Sequence, residues 1–131
     1  MTDREELFNY RLNQADETLN EVKRMFKDQY SPRSIINRSY YIMFYSLLAL
    51  YLHDNINIKT SKHSGIISMF DREFVHKGIF DKEYSKILHI MFDMRQEYDY
   101  REFVESSYED AEKAIKNADK FYTLIRNYIT T

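Results

Sequence analysis

The segment Pro32-Arg33-Ser34-Ile35-Ile36-Asn37-Arg38-Ser39-Tyr40-Tyr41-Ile42-Met43-Phe44-Tyr45-Ser46-Leu47-Leu48-Ala49-Leu50-Tyr51-Leu52 decides the fold. Ile36, Tyr40, Phe44, Leu47 and Tyr51 recur at helical spacing as one apolar stripe. Tyr41, Tyr45, Leu48 and Leu52 form another. A helix apolar on two sides is packed from two sides, so this segment is expected at the centre of a helical bundle. Ser31 is a suitable N-cap and Pro32 suits the first helical position. Asn37 and Arg38 set polar groups at the mouth of that core.

Working outward, Phe8, Leu12, Ala15, Leu19, Val22 and Phe26 repeat at steps of four and three, which predicts a first helix from about Glu5 to Lys27. After a polar connection from His53 to Lys62, a shorter helix is expected over His63 to Lys77, with Ile66, Ile67, Phe70 and Phe74 inward and Gly78 just past its end. Asp81 can cap a fourth helix that buries Tyr84, Ile87, Leu88, Met91 and Phe92. A break is expected over Arg101 to Glu105. Two capping registers follow, Ser106 with Glu109 or Ser107 with Asp110. The last helix carries the cleanest period in the chain: Tyr108, Ala111, Ile115, Ala118, Tyr122, Ile125 and Ile129. The expected fold is all-α, an antiparallel up-and-down bundle of four long helices plus one short helix, as a single domain over 1–131.

Composition narrows the function classes. Two glycines and one proline are too few for a sandwich or barrel, and 44% hydrophobic residues suit a globular core. A net charge of −2 argues against a sequence-independent nucleic-acid coat but leaves room for a local basic cleft. With no cysteine, thiol catalysis and zinc–thiolate sites are excluded, and the usage fits a cytoplasmic protein. The opening Met1-Thr2-Asp3-Arg4-Glu5-Glu6 lacks the apolar stretch of a signal peptide. Tyr40 to Leu52 is too short to span a bilayer, so no membrane association is expected. No metal site or cofactor is expected: a single Glu-x-x-His, Glu73 to His76, lacks the second motif that a di-iron bundle needs. Gly65 and Gly78 stand alone, so no phosphate-cradling glycine loop is present.

The functional pointer is Met94-Arg95-Gln96-Glu97-Tyr98-Asp99-Tyr100-Arg101. Helical steps back from Arg95 meet Met91, Leu88 and Tyr84, so the arginine continues a buried stripe. An arginine there either pairs internally, with Asp99 one turn on, or faces a cleft. Glu97 and Arg101 are better placed as an ordinary exposed pair along the helix.

Three segments together resemble a HEPN domain. They are Asn37-Arg38-Ser39-Tyr40-Tyr41-Ile42-Met43-Phe44-Tyr45, Lys62-His63-Ser64-Gly65-Ile66-Ile67-Ser68-Met69-Phe70, and Met94-Arg95-Gln96-Glu97-Tyr98-Asp99-Tyr100. The third matches the branch reading Arg-Gln-Glu-x-Asp-Tyr. The resemblance implies a bundle of about five helices that forms a homodimer, two copies of the arginine segment framing one cleft. It further implies a prokaryotic toxin–antitoxin or defence setting and, in many members, metal-independent ribonuclease activity through an Arg-x4-6-His motif. In that chemistry arginine stabilises charge on the scissile phosphate, and histidine moves protons.

This chain departs from that motif. The positions where histidine is expected hold Tyr100, Arg101 and Glu102. With ordinary pKa values of about 10, above about 12 and about 4.3, none is a ready proton shuttle at neutral pH. The resemblance therefore implies RNA or nucleotide-phosphate binding by Arg95 and Asp99, with Asn37, Arg38 and His63 as further candidates. Any catalysis would rest on Arg95 and Tyr100. The competing expectation is a non-enzymatic partner of a minimal nucleotidyltransferase, with Tyr98 or Tyr100 as the adenylylation acceptor. A purely structural helical dimer is the third.

Overall fold

In the computed structural model the described residues are 1–100 and 107–131, with Tyr100 described in its backbone alone. Five α-helices and one π-helical turn follow one another: α1 Asp3–Lys27, α2 Pro32–His53, α3 His63–Phe70, the π turn Asp71–Val75, α4 Lys82–Tyr100 and α5 Tyr108–Thr130. The described residues contain no strand, and the all-α bundle expected from the periodicities is the observed architecture.

Capping sets the starts of the helices. The Thr2 side chain accepts from the Glu5 amide, so α1 begins two residues earlier than its apolar pattern predicts. Ser31 accepts from the Ser34 amide ahead of Pro32, as its position suggests. Of the two registers weighed for α5, Ser107 is the N-cap and accepts from the Asp110 amide; Ser106 and the expected break after Tyr100 lie outside the described residues.

Three helical segments end alike, with Gln29, Asn55 and Gly78 at positive φ (59°, 58° and 74°). In each case the following amide reaches back to the carbonyl of Met25, Tyr51 or Phe74, satisfying carbonyls that a helix end leaves unpaired. Only Gly78 was expected; Asn55 is of a type that tolerates this conformation, whereas glutamine carries no signal for it.

The centre of the bundle is α2, packed along much of its length by α1 and α5 and crossed by α4. Its stripe of Ile36, Tyr40, Leu47 and Tyr51 is buried. The second face differs from the expected one: Ile35, Ser39, Ile42, Met43, Ser46, Ala49 and Leu50 are buried, whereas Tyr41, Tyr45, Leu48 and Leu52 are half-buried. Ser39, Ser46 and Ala49 on that face are fully buried although small or polar, so apolar bulk alone does not select the buried side.

Phe70, Phe74, Phe80, Phe121 and Tyr128 form an aromatic cluster, with Phe80 stacked 5.7 Å from Phe70 and 5.5 Å from Phe74. The third helix, expected to run to Lys77, changes to the π turn at Asp71. A Cβ on Gly65 would lie 2.6 Å from Thr60 Cγ2, so glycine lets the connection before α3 lie against that helix.

Candidate anion-binding cleft

Asn37, Tyr40, Tyr41 and Phe44 occupy steps of three and four on α2 and so share one face. Opposite them α4 supplies Phe92, Arg95 and Asp99, again one turn apart. His63, the first residue of α3, reaches the same place.

The Arg95 guanidinium lies 4.9 Å from the ring centre of Tyr40 and 5.4 Å from that of Tyr41, within cation–π range of both. Nη2 donates to the Tyr41 hydroxyl at 3.4 Å. The Arg95 side chain is 13% exposed and its Nε stands 3.3 Å from Asp99 Oδ2. That contact is an ion pair without hydrogen-bond alignment, so the buried Nε–H has no hydrogen-bond acceptor. Asn37 Nδ2 donates to the same carboxylate oxygen at 2.9 Å. The arginine is thus held by two aromatic faces and one charge partner, with a donor to spare.

His63 lies on Phe44, ring centres 4.2 Å apart, and its Nδ1 is 3.0 Å from the Tyr40 hydroxyl. Burial, reinforced by the nearby Arg95 charge, lowers the imidazole below its ordinary pKa. Burial likewise raises the Tyr40 hydroxyl, which stays protonated. A cavity of about 450 Å³ opens between these elements, lined by Tyr41, Phe92, Arg95 and Gln96 on one side and Ser61, Lys62, His63 and Ser64 on the other. Two larger cavities, about 730 and 760 Å³, open beside Gly65 and beside Gly78. The first contains Lys59 and Arg72, but Arg72 is 64% exposed and paired with Glu73, so neither cavity offers a buried cation. The Arg95 cavity is smaller but chemically the better defined.

The predicted site residues therefore divide. Arg95, Asp99, Asn37 and His63 come together. Arg38 points to α1 instead, its Nη2 2.7 Å from Glu21 Oε1. Tyr98 is 7% exposed and its hydroxyl donates to Asp110 of α5, which raises its pKa to about 12. The Tyr100 side chain lies outside the described residues, as do Arg101, with its expected pairing to Glu97, and Glu102. Glu73 of the lone Glu-x-x-His is engaged by Lys77 and Arg72, which lower its pKa. The caging role of Tyr40, Tyr41 and Phe44 went unread in the sequence, although their spacing from Asn37 carries it.

The HEPN domain family profile matches residues 8–128. This chain is a HEPN-domain protein. Its HEPN fold extends to relatives of similar length. A "UPF0332 protein" of Thermotoga maritima is 36% identical over 129 residues, 98% of this chain and 96% of the relative. A protein of Methanocaldococcus jannaschii named "Putative toxin MJ0605" is 34% identical, covering 86% of this chain and 81% of its own. A second from that organism, "Putative toxin MJ0142", is 29% identical over 90% of this chain and 78% of its own.

Proposed function

We propose that this HEPN protein is the toxin-type member of a prokaryotic toxin–antitoxin pair, cytoplasmic and homodimeric, that binds RNA or nucleotide phosphate in the Arg95 cleft. The observation that carries the reading is the state of Arg95: caged by Tyr40 and Tyr41, largely withdrawn from water, and lining a cavity. The names of the two archaeal relatives support the toxin setting. The half-buried strip Tyr41, Tyr45, Leu48 and Leu52 begins at the cleft and supports a partner copy beside it. Among the described residues no helix is long and apolar enough to cross a membrane.

Binding is favoured over cutting, since Tyr100 stands at the first position where the motif allows histidine. Fluorescence anisotropy with a short single-stranded RNA and with ATP tests the reading: wild type binds and Arg95→Ala does not. Equal affinity in both removes Arg95 from the site. Total RNA left intact after long incubation with the pure protein and EDTA agrees with binding alone; cleavage reinstates a metal-independent ribonuclease.

A second reading is favoured by the same tyrosine. An antitoxin of the minimal nucleotidyltransferase class would adenylylate Tyr100, since the Tyr98 hydroxyl is already engaged by Asp110. Intact mass after co-expression with the neighbouring gene product decides it: an added adenylyl group supports this version and an unchanged mass ends it.

A further inference from the structure

His63 and Arg95 face one cavity from different helices, but they bring different chemistry to it. Tyr40 is 1% exposed, so its hydroxyl hydrogen has little access to water. Among the described residues the one hydrogen-bond partner of that hydroxyl is His63 Nδ1, at 3.0 Å. Were Nδ1 to carry the imidazole proton, the phenol hydrogen would be left buried and unbonded. The arrangement that satisfies both groups has Tyr40 donating to Nδ1, which places the proton of the neutral ring on Nε2. Among the described residues Nε2 has no hydrogen-bond partner, and the ring lines the cavity. Stacking on Phe44 fixes the plane of the ring.

We propose that His63 is a second anion-binding group of the Arg95 cleft, locked by Tyr40 as an Nε2–H donor, so that the site holds a phosphoryl oxygen and does not take a proton from its neighbour. The inference rests on the reading of this cleft as a phosphate site and specifies how that site works. A neutral imidazole protonated at Nε2 has no lone pair facing the ligand, so it cannot act as a base there.

The charges around the ring make the site pH-sensitive. From α4 the ring faces Arg95, itself paired with Asp99; from α2 it faces Tyr40 and Tyr41; Lys62 precedes it in the chain. Among the described residues no carboxylate contacts it. A bound phosphate supplies the missing negative charge and offsets Arg95. The ring then takes up a proton on Nδ1; the Tyr40 oxygen accepts the new N–H and its own hydrogen loses its partner, a cost that keeps the free ring neutral and that the phosphate charge offsets. Affinity therefore rises as pH falls, until the free ring, whose pKa lies below the ordinary imidazole value, is protonated as well.

Histidine-labelled full-length protein, followed by long-range proton–nitrogen NMR, reads this directly. Inorganic phosphate, 5′-AMP and a short single-stranded RNA serve as separate probes, which distinguishes free phosphate, nucleotide and RNA backbone as sources. The expected result is a free protein with His63 protonated at Nε2 at pH 7.5 and a titration midpoint that moves upward with a saturating probe. Tyr40→Phe mixes the tautomers and weakens probe binding about three- to tenfold. His63→Gln, which keeps an N–H donor, retains binding without its pH dependence, and His63→Phe loses both. The wild-type titration decides the question even if His63→Phe fails to fold. A ring protonated at Nδ1 in the free protein overturns the proposal, as does a probe that binds without moving the His63 midpoint. Failure of all three probes to bind overturns the phosphate reading of the cleft itself.

Discussion

At the scale of single residues, polar groups singled out together in the sequence meet different fates. Arg95 sits among Tyr40, Tyr41 and Asp99 at 13% side-chain exposure, whereas Arg38, equally near the predicted core mouth, pairs with Glu21 at 41% exposure. Exposed pairs contribute about 0–1 kcal/mol, so Arg38→Ala is expected to shift stability by less than that and to leave RNA affinity unchanged. Chemical denaturation and anisotropy check it. Tyr98→Phe, by contrast, removes a hydrogen bond to a charged acceptor and is expected to cost about 1.5–3 kcal/mol in urea unfolding. Tyr98 has a folded pKa raised to about 12 against about 10 in the unfolded chain. The folded state holds that proton more tightly, so the contribution is complete below pH ~10 and is lost as pH rises through ~12. His63 has the opposite sign. Its folded pKa is lowered, so the free protein is expected to lose stability as pH falls below about 6.5, and phosphate to oppose that loss. The anomaly of Arg95 was legible in the sequence because a charge interrupts an apolar stripe. The bond from Tyr98 to Asp110 was not, since it joins two helices across residues whose spacing no periodicity fixes.

At the scale of elements, the helices were largely written in the apolar periods, and the departures lie where size and backbone conformation count more than hydrophobicity. The second buried face of α2 uses Ser39, Ser46 and Ala49. Counting bulky apolar residues selected the half-buried strip of Tyr41, Tyr45, Leu48 and Leu52 instead. Enlarging the close-packed face tests this: Ala49→Leu is expected to destabilise by about 1–3 kcal/mol through overpacking, measured by thermal or urea unfolding. Gln29 ends α1 at φ 59°, a conformation costly to a residue with a Cβ, so Gln29→Gly is expected to stabilise by up to about 1 kcal/mol. A loss of stability on that change would mean that the Gln29 side chain makes a contact outweighing the backbone cost. The π turn at Asp71–Val75 had no sequence signal; its buried residue Phe74 stacks on Phe80, a contact outside the segment that the apolar period does not encode.

At the scale of the molecule, the bundle brings three sequence segments, distant along the chain, to one cleft: Asn37 to Phe44, Lys62 to Ser64 and Phe92 to Asp99. Membership of the HEPN family was legible in those segments, and the profile match over residues 8–128 agrees. Which of their side chains converge was legible only in part, since periodicity assigns faces within a helix but not the distances between helices. A homodimer is expected in solution at micromolar concentration, checked by light scattering. Tyr45→Glu on the half-buried strip is expected to shift it towards monomer. The proposed binding step is phosphate engaging Arg95. Its most direct test is a titration of short single-stranded RNA into nitrogen-labelled protein, following the Arg95 Nε–H resonance, with Arg95→Met as a control that keeps the packing stem. A saturable shift of that resonance is expected at the same RNA concentration that saturates binding, with no binding by the folded Arg95→Met protein. RNA that binds with the Arg95 resonance unmoved, or binds Arg95→Met equally well, contradicts it.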